Sequence, residues 1–168
     1  MKRLTTLALA VIGLTLGSSA FAQSNSASTS ANATARIVTP IAIAKTSDMN
    51  FGDVVAGGSA GTVVLTTAGV RSATGGTTLG NAGATAAAAF NVTGQGSATY
   101  SISLPASTTV TSGGNTMTVN AFASNPSGTG ALSAGGSQAL TVGATLNVGA
   151  SQATGTYTGT FNVTVTYN

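Results

Sequence analysis

Across residues 155–167 the side chains alternate: Tyr157, Phe161, Val163, Val165 and Tyr167 share one parity, while Thr and Asn fill the other. A period of two is the mark of a strand with one buried face. The same alternation of β-branched or aromatic residues predicts strands at 61–66, 88–93, 99–104, 116–123, 137–142 and 144–148. Turn residues such as Gly113-Gly114-Asn115, Asn125-Pro126 and Gly135-Gly136 separate them. Upstream, residues 33–44 carry Ile37, Val38, Ile41 and Ile43 around Pro40. Proline donates no ladder hydrogen bond, so this run reads as an edge strand or as two strand pieces joined at a bend. A further short strand starts at Met49-Asn50-Phe51-Gly52 and ends in the turn Gly57-Gly58. The alanine-rich stretch 82–89 follows Gly80 and Gly83 without a cap, and no segment shows a 3.6-residue apolar stripe. No fixed repeat recurs, which favours a sandwich over a β-solenoid. The expected fold is all-β, an immunoglobulin-like antiparallel β-sandwich.

The N-terminus changes the picture of where this domain resides. Lys2 and Arg3 precede an apolar run from Leu4 to Leu16, and Ala20-Phe21-Ala22 ends it in small residues. These are the parts of a secretion signal, and the run is too short to span a bilayer. Residues 1–22 are therefore expected to be a signal peptide cleaved after Ala22. The chain is then exported, with a periplasmic stage followed by the cell surface or the medium. Residues 23–36 form a polar N-terminal extension, and 37–168 the sandwich. No later segment is long and apolar enough to span a membrane.

Charge is scarce. Only 4% of the 168 residues are charged, where a soluble domain carries about a quarter. After the leader is lost, Arg36, Lys45 and Arg71 stand against Asp48 and Asp53. Nothing clusters, so nucleic acid is not an expected partner. A surface of Ser, Thr, Asn and Gly has little charge repulsion and a weak barrier to packing against other proteins, which hints at assembly.

The chemistry available is equally sparse. The chain has no His, no Cys and no Glu, so a serine nucleophile lacks an imidazole base and a metal lacks thiolate or imidazole ligands. Two carboxylates, Asp48 and Asp53, fall short of the oxygen set that calcium requires, and both suit turns or strand ends better. Gly94 and Gly96 resemble a phosphate loop only superficially, since no helix or lysine follows, and they are read as a turn. The Asn32, Asn91 and Asn162 sequons are those expected by chance in so Asn- and Thr-rich a chain. No catalytic, cofactor or metal site is expected, and the protein is read as a non-enzyme.

With Tyr167 penultimate, Gly155 fourteenth from the end and alternating apolar residues between, the C-terminal run resembles that of bacterial chaperone–usher pilus subunits. In particular it resembles the spore-coat-U-like archaic pilins and a related family of unknown function rich in Ala, Thr and Gly. Residues 33–54, ending in Met49-Asn50-Phe51-Gly52-Asp53-Val54, look like the opening of the spore-coat-U-like domains. Those relatives usually carry cysteines near the first strand, where this chain has Ala42 and Ala44.

The resemblance implies a sandwich that lacks its last strand. Gly155, Tyr157, Phe161, Val163, Val165 and Tyr167 would then form the strand bound by an assembly chaperone through β-augmentation. It implies a periplasmic chaperone and an outer-membrane usher as partners, and a homopolymer in which each subunit's N-terminal extension fills the next one's groove. In this chain the donor positions would be Ala27, Thr29, Ala31, Ala33, Ala35 and Ile37. Alanines bury little area, about a few tenths to one kcal/mol each, so backbone pairing would have to supply most of the hold. Two readings of the extension stay open: it is donated to a neighbour, or residues 33–43 pair within their own domain and 23–32 fray. Two functions follow, a structural subunit of a pilus or fibre and a self-contained, adhesin-like binding module. The aromatics fall mostly in strand patterns rather than in an exposed glycan platform, which favours the subunit.

Overall fold

The structure is a computed structural model of the chain, and it describes residues 25–168. The leader expected over 1–22 lies outside the described residues, as do Gln23 and Ser24. Residues 25–36, taken by themselves, are exposed and carry neither helix nor strand. No helix of the described residues is long and apolar enough to cross a membrane.

Residues 37–168 fold as an all-β sandwich of two antiparallel sheets. The strands are β1 (Ala42–Ser47), β2 (Val54–Leu65), β3 (Arg71–Leu79), β4 (Ala88–Thr93), β5 (Thr99–Ser103), β6 (Ser107–Ser112), β7 (Asn115–Asn125), β8 (Thr129–Ala131), β9 (Ser137–Val148) and β10 (Thr164–Tyr167). The larger sheet has seven strands in the order β1-β4-β9-β2-β3, with β7 on β9 and β6 beyond β7. The smaller sheet runs β10-β5-β8.

β9 is the axis of the molecule. Its first half pairs with β4 through Ser137–Val142, its second half pairs with β2 through Ala144–Val148, and β7 lies along it from Thr141 to Asn147. The turn-like break expected at Gly143 is instead the point where one strand changes partners. A Cβ there would run into the Leu65 carbonyl and the Thr66 backbone, so only glycine admits this approach of β2.

β7 contains a second irregularity that the sequence pattern anticipates once it is seen. Met117 and Val119 point inward, but so does Phe122, which breaks the parity. The register slips between Asn120 and Ala123, and Ala121 takes φ 48°. A bulge turns the strand so that both halves bury their large residues.

Several expected strands come out differently. The strand expected over 33–44 begins only at Ala42, so Ile41 and Ile43 reach the core while Ile37 is 98% exposed. Pro40 explains the late start, since it cannot join the ladder. The C-terminal strand expected from Gly155 is regular only over Thr164–Tyr167, where it pairs with β5. Upstream it continues beside β6, with Thr158 bridging Thr111 and the Thr108 hydroxyl donating to the Thr160 carbonyl. Seven residues separate Ser103 from Thr111 but five separate Thr158 from Thr164, so two extra residues are absorbed around Pro105. A proline opposite this run removes the donor the ladder needs there. The alternation survives: Phe161, Val163, Val165 and Tyr167 are half-buried and the residues between them exposed.

Two apolar clusters form the interior. Val92, Tyr100, Leu132 and Leu140 lie between β4, β9 and the small sheet, joined by Ile41, Ile43, Val163, Val165 and Tyr167. Val63, Val119, Ala144, Leu146 and Val148 form the other on β2, β7 and β9. The small sheet pairs along β10, β5 and β8, whose inward residues serve the first of these clusters. The other is walled by connecting segments, and its rim residues Met49, Phe51, Val110, Met117 and Phe122 are only partly buried.

Candidate functional site

Above that incompletely covered cluster lies a groove of about 810 Å³. Its floor is Met117 and Val119 of β7, Leu146 and Val148 of β9, Val110 of β6 and Phe90 of β4. One wall is residues 47–56, leading from the end of β1 into β2, and the other is 152–157 together with 159–161 of the C-terminal run. Both walls belong to the ends of the domain, and the floor to its centre.

The first wall is held by backbone and by one cation. Asn50 exchanges backbone hydrogen bonds with Ala86 at 2.8 and 3.0 Å, and its side-chain Oδ1 accepts the Gly52 N–H at 2.8 Å. Gly52 takes φ +65°, the left-handed conformation this turn needs. Arg71, at the head of β3, donates Nη1 to the carbonyls of Phe51 and Asp53, both at 2.7 Å, and Nη2 to the Gly80 carbonyl at 2.6 Å. Lys45 and Asp48 pair at the rim with both side chains mostly exposed, which adds little stability.

The second wall is fastened at Tyr157, whose hydroxyl donates to the Ala153 carbonyl at 2.8 Å and accepts from Gln152 Nε2 at 2.7 Å. Phe161 meets Phe122 with ring centroids 4.9 Å apart, which ties the wall to the bulged end of β7. Val163, Val165 and Tyr167 continue past the groove onto the other cluster. Tyr167 closes the run: its hydroxyl donates to the Thr39 carbonyl at 2.7 Å and accepts the Gln95 N–H at 2.6 Å.

Of the six C-terminal positions singled out from the sequence, Gly155, Tyr157 and Phe161 line the groove, while Val163, Val165 and Tyr167 pack on the other cluster. Among the described residues, β10 pairs on one edge only, with β5. The six donor positions fall in residues 25–37, which carry no strand and are exposed. Gly94, read as part of a turn, also makes room for the Tyr167 ring, since a Cβ there would collide with its hydroxyl. Two residues that matter to the groove were not singled out from the sequence. In the sequence Arg71 stands out only as one of few charges. Gly159, whose Cβ would strike the Thr109 carbonyl, is the glycine that lets the C-terminal run lie against β6. The chance of an α-carbon this close to backbone is not written in local sequence.

Among the described residues no three His, Cys, Asp or Glu side chains gather as a metal site. Burial pushes the Tyr100 phenol above its ordinary pKa, and its hydroxyl donates to Gln138 Oε1 at 2.8 Å.

The all-β frame and the two end segments that wall the groove coincide with one family, which matches residues 41–167. The chain belongs to the family described as Domain of unknown function (DUF4402). No curated protein and no solved structure matches it. The DUF4402 match runs from Ile41, which is partly buried against the core, to Tyr167, and so takes in both walls of the groove and its floor. Residues 25–40, including the exposed Ile37, precede the DUF4402 match.

Proposed function

We propose that this DUF4402 domain is a structural subunit of a bacterial surface pilus or fibre, exported through the periplasm and assembled by donor-strand exchange. The observation that carries the reading is the apolar-floored groove between residues 47–56 and 152–161, whose second wall runs on into a last strand with one unpaired edge. A strand laid there would meet Leu146, Val148, Met117 and Val119 on its inner face. Its backbone would satisfy donors and acceptors that otherwise face water. The preceding segment has the character of a donor: residues 25–36 are exposed and carry neither helix nor strand, and the Ile37 side chain that follows is 98% exposed. An aliphatic side chain so exposed gains about 1.5–3 kcal/mol on burial. A periplasmic chaperone and an outer-membrane usher are the partners this assembly calls for, the first holding the open edge until the second admits the donor.

The test is deletion of residues 23–36 from the secreted chain, with and without a co-expressed chaperone, followed by size-exclusion chromatography and electron microscopy. The truncated protein should fold with the chaperone and fail to polymerise, since it keeps the groove and loses the strand it donates. Full-length protein that remains a stable monomer for days without a partner rejects the proposal.

A further inference from the structure

We infer that Arg71 is a positioning residue for the groove, holding Phe51 in the orientation that receives an extended chain; this rests on the donor-strand reading above. Phe51 lines the groove and packs on the cluster of Val63, Leu146 and Val148, yet it sits in a turn rather than in a strand. Its neighbours are held independently, Asn50 by Ala86 and Asp53 by Gly80 and Ala82. The Phe51 carbonyl is held by the guanidinium. The same guanidinium spans to the Asp53 and Gly80 carbonyls, so one planar fork sets three backbone groups in fixed relation. Among the described residues Arg71 joins no ion pair, and its charge is met by carbonyl dipoles. Gly52 lies between the two held carbonyls at φ +65°, which favours glycine, and a Cβ there would also stand 2.8 Å from Nη1.

A wall fixed before the strand arrives spares the incoming chain the entropy of ordering it, which shows chiefly in how long the strand stays. The experiment uses the full-length secreted protein and a fluorescent synthetic peptide of residues 25–38, with release followed by anisotropy after dilution into unlabelled peptide. Arg71→Ala should release the peptide about tenfold faster than wild type. Arg71→Lys should stay fast as well, because a point charge cannot bridge three carbonyls. Gly52→Ala, which strains the same turn at its positive φ and crowds Nη1, should behave alike. Tyr100→Phe serves as a control that weakens the other cluster, and its release should match wild type. If Tyr100→Phe releases as fast as Arg71→Ala at equal loss of urea midpoint, general stability governs retention and the inference is overturned. Release from Arg71→Ala and Arg71→Lys at the wild-type rate overturns it too. Wild-type protein that never holds the peptide overturns the donor-strand reading, and with it the role given to Arg71.

Discussion

Replacing Gly159 with alanine should damage the domain more than the same change at Gly155, although Gly155 is the glycine the sequence marks out. At Gly159 the new methyl would press into the Thr109 carbonyl and stand 3.0 Å from Val110 Cγ1 and 3.2 Å from Val110 Cα. Two of these three neighbours are backbone atoms of β6, so the C-terminal run must move away as a unit. Overpacking of this kind costs about 1–3 kcal/mol. Moving away also threatens the two Thr111–Thr158 backbone bonds, 2.8 and 3.0 Å, each worth about 1 kcal/mol. The total is about 3–5 kcal/mol if both bonds are lost, with Phe161 drawn off Phe122 at the same time. At Gly155 the Cβ would meet the Ser112 hydroxyl, which can rotate aside, so the loss there comes mainly from φ 159°, a conformation that L-residues rarely adopt, at about 1–3 kcal/mol. Urea denaturation of both variants in otherwise full-length protein measures the difference, and an unchanged slope would show that the native state alone is affected. If Gly155→Ala proves equal or worse, the packing of the C-terminal run against β6 is wrong.

Two further outcomes follow from single side chains. The Tyr100 phenol is held above its ordinary value of 10.0 by burial, so the folded state keeps a proton that the unfolded chain gives up. Its contribution is whole below about pH 10 and falls as pH rises beyond that; urea midpoints should be level to pH 9 and drop above 10, and Tyr100→Phe should flatten the drop, whereas an equal fall in the variant refutes the assignment. Tyr167→Phe keeps the ring and removes a hydroxyl that serves the Thr39 carbonyl and the Gln95 N–H. Stranding a partly buried donor costs about 1–3 kcal/mol, so the variant should lose stability and exchange its Gln95 amide faster; an unchanged amide rate would count against the contact.

Alternation was enough to locate the strands whose one face is buried. Tyr100, Val92, Leu140 and Val142 all belong to segments read as strands from the period of two, and they are among the most buried side chains of the molecule. What escaped were the edges. β3 reads Arg-Ser-Ala-Thr-Gly-Gly-Thr-Thr-Leu and β6 Ser-Thr-Thr-Val-Thr-Ser, each with few large apolar residues because each lies at the margin of the seven-stranded sheet. An edge strand earns its place from a partner's backbone, and that pairing leaves no period in its own side chains. β8 has three residues and sits at the end of the small sheet, for the same reason.

The groove was legible in outline and illegible in mechanism. Met49-Asn50-Phe51-Gly52 and the alternating C-terminal run were both singled out, and they become its two walls. That they face each other across Leu146 and Val148 depends on β9 passing from β4 to β2 at Gly143, a long-range event with no local signal beyond a glycine. The same holds for Arg71, whose carbonyl partners lie 20, 18 and 9 residues away. In a chain with so few charges, a guanidinium placed on backbone carbonyls rather than on Asp48 or Asp53 leaves both carboxylates free of it. The walls are therefore fixed by hydrogen bonds that salt screens weakly, because part of this contact is sheltered from solvent. Raising salt should then loosen the exposed Lys45–Asp48 pair long before it loosens the wall, so the groove keeps its shape under conditions that erase the only ion pair among the described residues.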